Sequence, residues 1–309
     1  MKIIFLILTT LSILLAGGYS EQIDNKGNLH IFTLKNYTSK FDPNTLEEAL
    51  KSNGLVIGEN ANIQHEFKTF YKLNLFKTYT NISFYDEDLT LELVKKYPKA
   101  GILVPTGIMI YQTIDSKDLH ILLPTAQMLA KVISADPKEF HRLEEKILGI
   151  LRNIFPKATH SYSKPTQREP KELFTHYELN TSGADVEDIK EELEENFEEK
   201  FEAAGFSMPS YFDLSENFGE NSPYDFYVTY AICRLDALKV LAKLSPEVAA
   251  LGPCTTVMYK KKDEEKIVMG FSSMYNWINS AHVEDKTGIE ILLSIQKEYE
   301  TILQEVTQN

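Results

Sequence analysis

The chain is 309 residues long, which at roughly 150 residues per domain predicts two domains. Its 43% apolar and 25% charged content is that of an ordinary globular protein, and 14 glycines with 12 prolines exclude collagen-like or low-complexity material. A formal net charge of −13 repels phosphate backbones and argues against nucleic acid as a partner, and two cysteines are too few for a disulfide scaffold or a four-thiolate zinc site.

Lys2 is followed by an apolar run from Ile3 to Ala16 and then by Gly17 and Gly18. A positive start, a short apolar centre and a small-residue end predict a signal peptide over residues 1–20, cleaved after Gly18 or Ser20. The run is short of the ~20 residues a spanning helix needs. The expectation is an exported protein, periplasmic or secreted, with no membrane contact after cleavage and in an oxidising space.

The mature chain then alternates short strands and helices. Leu29–Asn36 reads as a strand. A helix is expected from Thr45, capped with help from Glu48 and ended by Gly54. Strands follow at Leu55–Ile63 and Phe76–Phe84, then a short helical excursion, a proline-marked strand at Pro105–Thr113, a strand at Leu119–Leu123 and a long closing helix. Residues 157–172 are polar, contain Pro165 and Pro170, and read as a linker. This predicts a first domain over 21–156 and a second over 173–309.

The second domain repeats the pattern. Leu173–Thr181 is a strand, and Val186, Ile189, Leu193, Phe197 and Phe201 mark one face of a helix over 185–204. Strands follow at Met208–Leu214, Phe226–Cys233, Pro253–Lys261 and Lys266–Phe271, with a helix at Leu235–Leu244. Laid over each other, Pro98 meets Pro246, Pro105 meets Pro253, Phe76 meets Tyr224, Tyr79 meets Tyr227 and Tyr111 meets Tyr259. Tandem duplication explains the shared spacing. The fold class expected is α+β, two tandem copies with a mostly antiparallel sheet and helices on one face, packed as an intrachain pseudo-dimer.

Cys233 at a strand end, then Pro246, Pro253 and Cys254, followed by TTVMYKKKDEEKIVMGFSSMYNWI, resembles the domain-of-unknown-function 302 family. The resemblance covers the second copy and, more weakly, residues 29–155. It departs at Arg234-Leu235, where the family often has Asn-Pro, and at Ala249, where it has the Gly that the first copy keeps as Gly101. The first copy has Tyr85 and Thr106 in place of the cysteines. The resemblance implies a β-α-β(4)-α arrangement similar to the TATA-binding-protein-like fold. It lends no activity, and a fold-level likeness does not transfer DNA binding.

The most specific chemical feature is the pair Cys233 and Cys254. A ten-residue helix covers ~15 Å and the return segment can retrace it, which allows both sulfurs at one end of a sheet. Three readings stay open: a disulfide worth ~3 kcal/mol, a ligand-, metal- or redox-active dithiol, or two small buried apolar side chains. Pro253 exposes the sulfur that follows it, but no Cys-x-x-Cys at a helix start lowers a thiol pKa. Alternation places Tyr227 and Thr229 on the face of Cys233, and with Arg234, Pro253 and Thr256 they form a candidate pocket lining.

Met258, Met269 and Met274 would suit Cu(I) but read as core, and the seven histidines are scattered without ligand spacing, so no metal site is expected. The acid-rich helix over 185–202 reads as a solvated face. No nucleophile elbow, phosphate loop or His-Glu-x-x-His is present. The expected function is non-catalytic binding of an unknown small ligand or periplasmic protein near Cys233 and Cys254, with no cofactor identified. The alternatives are a thiol-dependent redox or sulfur-transfer enzyme using the same pair, or a structural periplasmic partner protein.

Overall fold

The computed structural model of the chain describes residues 27–164, 173–183 and 185–308. The expected signal peptide and residues 165–172 of the expected linker lie outside the described residues.

In the first half, β1 (Leu29–Leu34), β2 (Val56–Asn62), β3 (Phe76–Tyr85), β4 (Thr106–Thr113), β5 (Leu119–Pro124) and β6 (Thr159–Tyr162) form one sheet in the order β2-β3-β4-β5-β1-β6. In the second half, β7 (Phe174–Asn180), β8 (Ser207–Asp213), β9 (Tyr224–Cys233), β10 (Cys254–Lys261) and β11 (Lys266–Ser272) form another in the order β7-β11-β10-β9-β8. Every pairing is antiparallel. Setting β6 aside, the two sheets share one strand order and one chain connectivity, so the fold is α+β in two copies.

The helices are α1 (Pro43–Ser52), α2 (Ile63–Tyr71), α3 (Glu87–Lys96), α4 (Ala126–Ile133) and α5 (Lys138–Ile154), then α6 (Val186–Ala203), α7 (Leu235–Leu244), α8 (Tyr275–Ser280) and α9 (Lys286–Gln308). From β3 to β4 and from β9 to β10 the halves match without a gap. The paired strands, helices and 3-10 turns (Pro98–Leu103 and Pro246–Leu251) have equal lengths of 10, 10, 6 and 8 residues. Pro105 and Pro253 each follow a cis peptide bond.

Strand alternation decides what each sheet face covers. On β9, Phe226, Val228, Tyr230 and Ile232 pack in the core beneath α6 and α9, while Tyr224 and Tyr227 join the core of the first half. On the first sheet, Tyr79, Met109 and Tyr111 pack against Ala249 and Ala250 of the second half's 3-10 turn. Each sheet thus has its own helices on one face and the sister half on the other. Among the described residues no helix is long and apolar enough to cross a membrane.

Four local features differ from the sequence reading. The one long helix expected to close the first half is divided into α4 and α5, with Ser134 ending α4 in a left-handed conformation and Pro137 standing ahead of α5. Helix α1 starts at Pro43, not Thr45, because the Asp42 carboxylate accepts the Asn44 N–H at 3.0 Å and Pro43 is already set for a first helical turn. Helix α2 was not expected; Asn62 caps it by accepting the His65 N–H at 3.0 Å. Thr159–Tyr162, expected within the linker, instead pairs with β1, where the open edge of that strand satisfies its backbone groups.

Candidate functional site

Strand β9 ends at Cys233 and β10 opens at Cys254, so both sulfurs sit at the same end of the sheet. The register places Cys254 opposite Ile232, not opposite Cys233. Residues directly opposite share a face, so the two thiols leave opposite faces of the sheet. Both are free. Cys254 packs against the core of its own half, and Cys233 turns toward Glu59 and Glu66 of the first half.

A cavity of ≈ 150 Å³ wraps the end of these strands between the two halves, so both cysteines line it. Glu59 and Ala61 of β2, Glu66 of α2, and Asn81 and Ser83 of β3 form the wall from the first half. Ala237, Leu238 and Leu241 of α7, Trp277 of α8 and Ile295 of α9 form the apolar wall from the second. Glu59 is placed by its own backbone N–H, which donates to Ser83 Oγ at 2.9 Å where the β2–β3 register shifts. Asn81 Nδ2 donates to the Ala249 carbonyl at 2.7 Å and ties β3 to the second half beside the cavity.

The counterpart position in the first half is closed. Tyr85 stands where the second half has Cys233, and Leu89 where it has Ala237. The Tyr85 ring meets Phe212 edge-on at 5.2 Å, and the space left beside Tyr85 and Leu89 is ≈ 20 Å³. Larger side chains at these two positions accompany the filled counterpart.

Burial, with the charges of Glu66, Glu59 and Asp236, pushes the Cys233 thiol up to about 12. Burial, helped by Cys233, also raises Cys254. Burial and the neighbouring Glu66 hold the Glu59 carboxyl above the usual range; burial raises Glu66, against a partial offset from His65. Arg234 lines the cavity but is engaged by Glu298 and by Asp236, the latter at 3.1 Å. Burial thus disfavours both thiolates near neutral pH, which makes the thiols poor nucleophiles.

Of the residues singled out from sequence, Cys233, Cys254, Arg234 and Pro253 line the cavity. Tyr227 lies on the inter-half face, its hydroxyl donating to the Pro98 carbonyl at 2.6 Å, and Thr229 and Thr256 are fully buried at 0% exposure. Glu59 and Glu66 were missed; they sit in the half that has no cysteines, and nothing in their spacing announces the partner wall. The histidines are less scattered than their spacing suggests. His30 Nε2 and Glu144 Oε1 are 2.8 Å apart, and His30 Nδ1 and His160 Nε2 are 2.9 Å apart, which links β1, α5 and β6. Met258 and Met269 are core residues at 0% exposure, and among the described residues no group of three or more His, Cys, Asp or Glu is placed to hold a metal ion.

No family model matches the chain, and no curated protein matches it. It is similar to a solved structure described as an uncharacterised conserved DUF302 protein from Bacillus stearothermophilus, at 20% identity and a TM-score of 0.34. That similarity covers 42% of this chain and 95% of the other. The chemistry open to the site follows from the cavity itself, which offers an apolar body-sized space, two protonated thiols and two carboxylates.

Proposed function

We propose that this is an exported, non-catalytic binding protein that holds a small, largely apolar molecule between two copies of a DUF302-like module, beside Cys233 and Cys254. The observation that carries the reading is the asymmetry of the two copies: a cavity of ≈ 150 Å³ in one and ≈ 20 Å³ at the counterpart position in the other. The space is a cleft partly open to solvent with mostly apolar walls and a few polar groups, the form that small-molecule sites commonly take. Its volume is that of a benzene-sized guest. Export is supported by the charge and hydropathy of residues 1–20, and duplication by the matching element lengths and aligned prolines.

The thiol-enzyme alternative asks for a thiolate, and the raised Cys233 and Cys254 groups argue against it. A purely structural partner protein would have no use for the cavity.

Toluene and benzyl alcohol, titrated by calorimetry into the full chain, test the proposal. The expected outcome is saturable one-site binding that Ala237→Leu, which installs the sister copy's side chain, abolishes without loss of folding. Binding of neither probe to the folded wild-type protein, or undiminished binding to the folded A237L variant, overturns it.

A further inference from the structure

The class of ligand can be narrowed; this step rests on the cavity being a ligand site. Its walls differ in kind. The second half contributes aliphatic and indole surface from Leu241, Trp277 and Ile295, and the first half contributes Glu59 and Glu66. Among the described residues neither carboxylate has a side-chain hydrogen bond or an ion pair with a lysine or arginine. The cation sharing the cavity, Arg234, is committed to Glu298 and Asp236, and the Asn81 amide to the Ala249 carbonyl. The remaining polar neighbours cannot supply the missing charge: Cys233 is a neutral thiol, Asp236 is negative, and His65 lies on α2 and acts on Glu66 alone.

Two partly desolvated carboxylates without a counter-ion cost the fold free energy that a bound cation returns. The group that fits is a hydrogen-bond donor with a positive charge on an apolar body. We propose that the cavity takes a small primary or secondary amine, with its ammonium at Glu59 and Glu66 and its apolar body against Trp277 and Leu241. A bare metal ion is a poorer fit, because no third charged or imidazole ligand converges with the two carboxylates among the described residues.

Benzylamine and benzyl alcohol carry the same ring and differ in charge. Titrated into the full chain at pH 7.5, benzylamine is expected to bind at least tenfold more tightly. In Glu59→Gln/Glu66→Gln that preference is expected to disappear while the affinity for benzyl alcohol is kept; the single variant Glu66→Gln, with a several-fold loss for the amine, serves if the double variant does not fold. Equal affinity of the wild-type protein for the two probes overturns the amine proposal and leaves the cavity reading standing. Binding of neither overturns the amine proposal, and if toluene does not bind either, the cavity reading falls with it.

Discussion

The Tyr79 hydroxyl donates to the Pro246 carbonyl at 2.9 Å, and Tyr227, its counterpart in the other half, donates to the Pro98 carbonyl at 2.6 Å. Each tyrosine is fully buried, stands on the face of its sheet that meets the other half, and reaches the proline that opens the other half's 3-10 turn. This reciprocity is the mark of an isologous, two-fold contact, made here within one chain. The two bonds join the halves at matching points of their facing sheets.

Tyr227→Phe is expected to destabilise the protein by about 1–3 kcal/mol. The hydroxyl does two things: it donates to Pro98 and accepts the Gly101 N–H at 2.8 Å. Phenylalanine keeps the ring but removes the acceptor of the buried Gly101 N–H and the donor to the part-buried Pro98 carbonyl, the two bonds that join the halves at this point. Urea denaturation followed by tyrosine fluorescence or circular dichroism gives the difference, and an unchanged midpoint would show that the contact contributes nothing.

Gly101→Ala is expected to cost roughly 1–3 kcal/mol, the scale of overpacking in a filled core. A Cβ at that position would lie 2.5 Å from the Tyr227 hydroxyl oxygen and 2.8 Å from Val257 Cγ2. The tyrosine cannot withdraw without losing its bonds to the first half. Thermal unfolding checks this, and a melting temperature equal to wild type would refute it.

The order of strands and helices was legible because local signals agreed with the tertiary arrangement. Alternation on β9 separated Phe226, Val228, Tyr230 and Ile232 from Tyr227 and Thr229, and the structure puts the first set under α6 and α9. Prolines 105 and 253 marked strand starts correctly. What escaped was non-local. The register between β9 and β10 is set by pairing along their whole length, so equal distance from a turn did not reveal that Cys254 faces Ile232. Thr159–Tyr162 looked like linker because an edge strand with exposed side chains on both sides has no hydrophobic period. The cavity depends on the fit of two halves, and its acidic wall belongs to the half whose sequence showed no chemistry.

Glu59→Gln is expected to stabilise the protein at neutral pH by roughly 0.5 kcal/mol, the scale left after solvent screening of a partly exposed charge. Folding raises this carboxyl, through burial and the nearby Glu66. A raised group binds its proton more tightly when folded, so its contribution is fully present below the unfolded value of about 4.3 and is lost as pH rises through the folded value. The variant's gain in melting temperature should therefore appear at pH 7.5 and shrink toward zero at pH 4. A gain of the same size at both values would mean that charge is not its cause.

The two thiols should be present, countable and slow. In denaturant the protein is expected to show two free thiols, since Cys233 and Cys254 are unbonded. In the folded state Cys233, at about 12 against an ordinary thiol near 8.5, carries on the order of a thousandfold fewer thiolates at pH 8. Iodoacetamide should therefore label it slowly, and the rate should keep rising with pH beyond the range in which an unperturbed cysteine levels off. Cys254 should lag too, because burial raises it as well. Glu59→Gln/Glu66→Gln separates the causes: it removes two of the three carboxylates acting on Cys233 and leaves Asp236 and burial in place, so Cys233 should label several-fold faster, whereas burial of Cys254 is untouched. Peptide mass spectrometry after timed labelling reads each cysteine on its own. Rapid labelling of both in the folded protein would contradict the raised thiols, and with them the argument against a thiol-based enzyme.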